Sequence, residues 1–359
     1  MKLSARMPLI VMNRTTFWIG ALALAGVLGA GSVPAEAAAA KKKTTAKTTQ
    51  ARRLYAANTS PSLTRRARSA RARAIAMAHE MAVTPLPRYK MDASGDMVPD
   101  LRAAAAIVYD PETNQVLWEE NSGSQRSIAS ITKMMTAVVF MEGNPDLSDS
   151  VTVARSDVFQ ASTTHLKMND RVTTDDLLHL LLIASDNAAA RALARVSPLG
   201  YEGFIARMNE KAAELGLETT HYADPSGLLS ENVSSAYDLA RLITYVSGDD
   251  RIASIMRTPE YTVTTGRRPI TFRSTNHLLG RTDVEVRAGK TGFISKSGYC
   301  LATLLRLPQS TQQVAVVVLG ARSNAGRFME TQNLFNWMSS KAASAVFATG
   351  TPTPLPAPQ

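Results

Sequence analysis

Apolar, strand-like runs stand at both ends of one long stretch of this chain, and helical periodicities fill the space between them. Near the front, Ala103 to Tyr109 and Gln115 to Glu120 flank Asp110-Pro111-Glu112-Thr113-Asn114, a hairpin signal. Toward the back, Tyr261 to Thr264, Ile270 to Arg273, Val284 to Phe293, Tyr299 to Leu307 and Gln313 to Leu319 read as strands. A chain laid out this way can close its first hairpin onto its last strands. The expected fold class is α/β of the α+β type: one antiparallel sheet flanked by helices, with an inserted helical subdomain.

The helical stretch divides at its punctuation. A helix is expected from near Ser130 through Met134, Met135, Val138 and Met141, stopping at Gly143-Asn144-Pro145. Thr173 to Val196 is helical in pattern, with Thr173 as N-cap three residues before Asp176 and an apolar face of Leu177, Leu178, Leu181 and Leu182. Ser185-Asp186-Asn187 interrupts that run before Ala188 to Val196 resumes it. Further helices are expected over Tyr201 to Leu215, closed by Gly216, over Ser235 to Val246, and over Gly326 to Ala345.

Charge separates the folded part from the rest. The formal net charge is +10, yet residues 41–90 hold 13 Lys and Arg against Glu80 alone. Residues 91–359 therefore sum to −4, and no nucleic-acid steering field is implied for them. Residues 1–39 read as a signal peptide: Lys2, Arg6 and Arg14 precede apolar Phe17 to Val33, and Ala35-Glu36-Ala37 offers a small-x-small cleavage site. An uncleaved anchor is the alternative, and either outcome takes the main domain out of the cytoplasm, with the periplasm as the expected compartment. Residues 40–97 read as a basic disordered tether, either a solvated linker or an adhesive for anionic wall or membrane. Residues 98–345 are expected to form the globular domain and 346–359 a Pro-rich disordered tail.

Cys300 is the only cysteine, so no intramolecular disulfide forms, and its apolar setting reads as a buried structural thiol. His79, His165, His179, His221 and His277 lack zinc-ligand spacing, so neither metal nor cofactor is expected.

Three polar signatures carry the chemistry: Ser130-Ile131-Thr132-Lys133, Ser185-Asp186-Asn187 and Lys290-Thr291-Gly292. Ser130 and Lys133, three apart at a helix start, share a face beside the helix's free N–H groups. Serine attacks only once a base takes its proton, and Lys133 serves as that base only when neutral. Burial, the helix N-terminus and a second ammonium such as Lys290 would lower its pKa from about 10.4. The plain alternative is an N-cap serine with a solvated lysine. Placement separates the trio from decoys of similar spelling. Ser230-Glu231-Asn232 lies in a loop, and Ser274-Thr275-Asn276 also fits the spacing. Lys296-Ser297-Gly298 falls in a turn, whereas Lys290 lies on a strand where Gly292 permits close approach of a substrate backbone.

The trio resembles the signature of the penicillin-binding serine DD-peptidases, and the chain is most similar to the D-alanyl-D-alanine endopeptidases among them. Ser127 to Ala137, Asp224-Pro225-Ser226-Gly227-Leu228, Asn232-Val233-Ser234 before Asp238-Leu239, Thr275-Asn276-His277-Leu278, Lys290 to Phe293 and Gly298 to Leu301 carry the likeness. It spans about Asp100 to Ala345. The resemblance implies Ser130 as nucleophile, Lys133 as base and Ser185 as proton relay to the leaving amine. It also implies Asn187 on the substrate amide, Lys290, Thr291 and Gly292 around the substrate carboxylate, and N–H groups of Ser130 and Phe293 as the oxyanion hole. The expected substrate is a peptidoglycan stem-peptide cross-link, with β-lactams as covalent inhibitors.

Three rival readings share parts of this pattern. A D-Ala-D-Ala carboxypeptidase uses the same acyl donor, although related carboxypeptidases commonly add a β-domain and an amphipathic anchor that do not follow Ala345 here. A class A β-lactamase shares all three signatures but adds an E-x-x-L-N carboxylate, and no such string occurs. A non-catalytic wall-binding module would need none of Ser130, Lys133, Ser185 and Lys290.

Overall fold

The computed structural model describes residues 71, 72, 75 and 86–349. The expected signal peptide, most of the tether and residues 350–359 lie outside the described residues. At its centre is a five-stranded antiparallel sheet in the spatial order Glu285–Ile294, Gly298–Arg306, Gln313–Ala321, Ala105–Asp110, Gln115–Glu120. The first hairpin closes onto the last strand, with Ala315 opposite Tyr109 and Leu319 opposite Ala105. The α+β arrangement expected from the sequence is the one adopted.

Both faces of this sheet are covered. Side chains alternate across a strand, so Ile107, Tyr109, Ala302, Leu304 and Val317 pack with Met134, Leu177 and Leu239 of the helical layer. Val108, Leu301, Leu305, Val314 and Val316 pack against Phe328, Leu334 and Phe335 of the C-terminal helix Asn324–Thr349. Burial on two sides explains why Val314 to Leu319 is an unbroken apolar run rather than an alternating one.

The helical layer is built where the capping chemistry indicated. Thr173 Oγ1 accepts from Asp176 N (3.0 Å) and Asp176 Oδ2 accepts from Thr173 N (3.2 Å), opening the helix Thr174–Leu182. Asp186 Oδ1 accepts from Ala189 N (3.0 Å) and opens Asn187–Val196. Ser235 Oγ accepts from Asp238 N (3.1 Å) and opens Ala236–Ser247. Each such cap contributes about 1 kcal/mol.

Some boundaries differ from expectation. Residues 86–97, expected in the tether, are part of the folded unit: Tyr89–Met91 pairs with Met97–Pro99. This ribbon is fixed to the C-terminal helix by Trp337 Nε1 donating to Met97 O (2.9 Å) and Tyr89 OH donating to Asn333 Oδ1 (2.7 Å). Three-residue strands held from 240 positions away leave no local period to read. The C-terminal helix runs to Thr349, past the expected end at Ala345. The ribbon Ser150–Thr152 with Arg171–Thr173 and the helices Arg155–Val158 and Asp250–Met256 are additional elements, all too short for periodicity to register.

Candidate active site

Ser130 sits in a 3-10 turn, Ala129–Thr132, that runs directly into the α-helix Lys133–Glu142. Three residues per turn eclipses positions i and i+3, and Lys133 Nζ lies 2.8 Å from Ser130 Oγ. The turn is tight: Ala129 has φ +49°, a left-handed value for a residue with a Cβ. Gly227, at φ +80°, packs its backbone onto that turn, and a Cβ there would fall 2.0 Å from Ala129 O. On the opposite side a Cβ on Gly292 would fall 2.5 Å from Ile128 O. The protein's own Ile128–Ile131 backbone thus already requires a residue without a Cβ at position 292. The two glycines clamp the serine turn between a loop and the edge strand of the sheet.

Lys133 is fully buried. Its Nζ contacts Ser130 Oγ, Asn187 Oδ1 (2.6 Å) and Ser226 O (2.6 Å). Asn187 Nδ2 donates to Ala161 O (2.7 Å), which fixes its Oδ1 toward the lysine. Two of the three partners can only accept, whereas the serine hydroxyl can also donate. A neutral Lys133 therefore satisfies both carbonyls with its two N–H groups and turns its lone pair to the Ser130 proton. Desolvation lowers the Lys133 pKa to about 7, against the pull of Asp224 and Asp186. Arg191 adds to the lowering, a part that the sequence alone suggests for Lys290.

Ser226 and Asp224 belong to a stretch that carries the family likeness but implies no role by itself. Asp224 Oδ1 accepts from Ser226 N, Ser226 Oγ and Gly227 N, and Oδ2 accepts from Leu229 N (2.7 Å) and Asn232 Nδ2 (2.8 Å). Burial opposes its charge, but these donors hold the Asp224 carboxyl below the usual range. The buried carboxylate thereby shapes the loop that presents Ser226 O to Lys133. Asn232, from the decoy Ser230-Glu231-Asn232, is part of this scaffold rather than of the reacting groups.

Ser185 and Asn187 flank Asp186 at the junction of two helices, and Ser185 takes φ +59°. That left-handed residue splits the pair, so Asn187 reaches Lys133 while Ser185 Oγ receives Lys290 Nζ at 2.8 Å. Lys290 also donates to Thr291 O (2.9 Å) and is 1 % exposed. Desolvation, then the charges of Lys133 and Arg327, push its pKa well down. Among the described residues it has two acceptors for three ammonium donors, which leaves one N–H for an incoming anion.

Thr291 Oγ1 lies 2.6 Å from Thr275 Oγ1, so the other decoy, Ser274-Thr275-Asn276, stands behind the lysine strand. Phe293 stacks on Tyr299 at 4.2 Å and is 49 % exposed, the exposed apolar residue of the edge strand. Because Glu285–Ile294 is the outermost strand, its free edge carries backbone N–H groups without ladder partners. Arg327 Nη1 donates to Gly292 O (3.1 Å) and Cys300 O (3.2 Å), tying that edge to the C-terminal helix. Lys296 is exposed in the turn between strands, as expected. Cys300 is buried, and among the described residues no group of three or more metal-ligating side chains comes together.

The structure thus brings Ser130, Lys133, Ser185, Asn187, Lys290 and Thr291 into one connected cluster, with Gly292 beneath it and Phe293 beside it. Thr275, Ser226, Asp224, Gly227 and Arg327 join it through contacts that no local pattern announces. Comparison with known proteins converges on the same assignment. The peptidase S11 family model, described as D-alanyl-D-alanine carboxypeptidase, matches residues 92–323. A D-alanyl-D-alanine endopeptidase of Escherichia coli is 32% identical over 263 residues, 72% of this chain and 81% of that protein. One from Pseudomonas aeruginosa is 33% identical over 252 residues, 69% of this chain and 80% of that protein. The crystal structure of the Streptomyces K15 DD-transpeptidase superposes with a TM-score of 0.62 at 27% identity, covering 67% of this chain and 97% of that one. A buried lysine poised on a serine, in a fold and sequence shared this widely, leads to one conclusion: the chain belongs to the peptidase S11 family of serine DD-peptidases.

Proposed function

We propose that this protein is an exported cross-link endopeptidase of peptidoglycan, acting through an acyl-enzyme on Ser130. The observation that carries the reading is the fully buried Lys133 amine, held at 2.8 Å from Ser130 Oγ by two carbonyl acceptors. Lys133 takes the Ser130 proton as Oγ attacks the carbonyl on the D-Ala side of the scissile bond. The N–H groups of Ser130 and Phe293 receive the oxyanion. Lys290 and Thr291 bind the carboxylate of the leaving half, and its charge favours the Lys290 ammonium that burial disfavours. Ser185, bonded to Lys290, relays the proton that Lys133 took from Ser130 to the departing amine, which returns Lys133 to its neutral form. Water then releases the acyl group from Ser130.

The endopeptidase assignment is supported by the names of the Escherichia coli and Pseudomonas aeruginosa relatives. The carboxypeptidase reading is favoured by the family description and by a Bacillus subtilis D-alanyl-D-alanine carboxypeptidase, DacF, 29% identical over 246 residues. Mass spectrometry of products from cross-linked and uncross-linked wall peptides separates the two. Severed cross-links with intact terminal D-Ala support the first, and loss of terminal D-Ala alone supports the second. Equal cleavage by the native protein and Ser130→Ala would overturn both. Export to the periplasm rests on the charged and apolar segments of residues 1–39. Cell fractionation with N-terminal sequencing tests it, and a cytoplasmic full-length protein would refute it.

A further inference from the structure

A group of cations stands beside the catalytic cluster with no acidic partner among the described residues. The tip of the ribbon formed by Glu260–Thr264 and Pro269–Arg273 carries Arg267 and Arg268, and it lies over the segment from His165 to Arg171. Gly266 N donates to Arg171 O (3.2 Å), Arg268 Nη2 donates to His165 O (3.1 Å), and Arg267 Nη1 approaches Met168 O at 3.5 Å. Lys167, Arg171 and Arg267 are exposed and Arg268 half-exposed. Among the described residues none of the four forms an ion pair, whereas Arg273 at the far end of the same ribbon pairs with Glu260 at 2.6 Å. The carboxylates beneath, Asp170 and Asp186, are fully buried and take up backbone N–H groups of Lys167 and His165.

The cationic tip is joined to the site by short links. His165 N donates to Asp186 Oδ2 (2.6 Å), and Asn187 N donates to Thr163 O (3.0 Å). The segment under the arginines is therefore bonded to Asp186 and Asn187, part of the junction that divides Lys133 from Lys290. Arg268, Arg267 and Arg171 thus stand on the segment bonded to Asn187, the residue that the resemblance places on the substrate amide.

We infer that Lys167, Arg171, Arg267 and Arg268 form an exosite for carboxylates of an acidic peptide, the donor strand upstream of the residue that acylates Ser130. The inference rests on the proposed DD-peptidase reading. It assigns the tip a part in substrate choice, distinct from the Lys290–Thr291 carboxylate site on the leaving side. Two exposed ion pairs correspond to about a fivefold preference, and screening removes most of it once the Debye length falls to about 3 Å at 1 M salt.

The test compares two synthetic acyl-D-Ala-D-Ala peptides that differ only in a free carboxylate or a carboxamide two residues upstream. The native protein is expected to show a kcat/KM about fivefold higher for the acidic peptide at low salt. The ratio should fall to about one at high salt and in Arg171→Gln/Arg267→Gln. Penicillin acylation of Ser130, which involves no upstream peptide, reports on site integrity in each protein. A native ratio of one with normal acylation overturns the exosite and leaves the peptidase reading standing. Absence of acylation in the native protein removes that reading and the exosite with it. An unchanged peptide ratio in the double variant, with loss of its binding to phosphatidylglycerol vesicles, would reassign the tip to a lipid surface and also overturn the inference.

Discussion

Lys133 Nζ stands 2.8 Å from Ser130 Oγ, and burial sets the Lys133 pKa near the pH at which a base must work, at about 7. A lysine pKa lowered from 10.5 makes the neutral base the main form above about 7, and the inert ammonium the main form below it. The rate of Ser130 acylation by penicillin should therefore rise with pH through about 7 and then level. Lys133→Arg, which stays charged throughout, should acylate about 10³-fold or more slowly with no ascending limb. Stopped-flow measurement across pH checks both, and a flat native profile would remove Lys133 as base.

Gly227→Ala tests the clamp on the serine turn. The new Cβ meets Ala129 O at 2.0 Å and a φ of +80° that alanine disfavours. Backbone strain of this kind costs about 1–3 kcal/mol, and relief requires the Ala129–Ser130 turn to move. Thermal unfolding should shift down while acylation slows more than stability alone explains. A variant with native acylation would show that the clamp is not needed to aim Ser130.

Thr275 is a positioning residue for Thr291. The two hydroxyls lie 2.6 Å apart, so a proton given by Thr275 leaves the Thr291 proton for a substrate carboxylate. Thr275→Val keeps the shape and removes the donor. KM for carboxylate-ended peptides should rise about 3- to 10-fold, the worth of one neutral hydrogen bond, with kcat little changed. Thr275→Ser should restore it. A loss confined to kcat would contradict the assignment.

Asp224 links acid stability to the site. Its pKa is lowered in the fold, so its charged hydrogen bonds stabilise the native state above the unfolded pKa of about 3.9 and are lost as pH falls through the lowered value. Asp224→Asn should cost about 1.5–3 kcal/mol near neutral pH. The gap from the native protein should begin to narrow as pH falls below about 3.9, where the unfolded carboxyl takes up its proton, and should keep narrowing toward the lowered folded value. Denaturant unfolding at pH 7 and pH 3 measures it, and a pH-independent gap would count against the charge.

The amino-acid order carries more of this protein than its local periodicities alone suggest. Capping pairs such as Thr173 with Asp176 act within one turn, so the helices they open are legible where they stand. Unbroken apolar runs such as Val314 to Leu319 name the core strands. The nucleophile and its lysine are legible too, because three residues at a helix start is a local distance. What folding supplies is everything set by long separations. Asn187 and Ser226 reach Lys133 from 54 and 93 positions away, and Lys290 reaches Ser185 from 105. Only that convergence excludes water from the lysine and lowers its pKa. It also makes Gly292 a backbone clamp on the serine turn, and turns Thr275 and Asn232 from decoys into supports. Residue type fixes which group can give or take a proton, but burial and the carbonyls around it decide whether it does so near neutral pH.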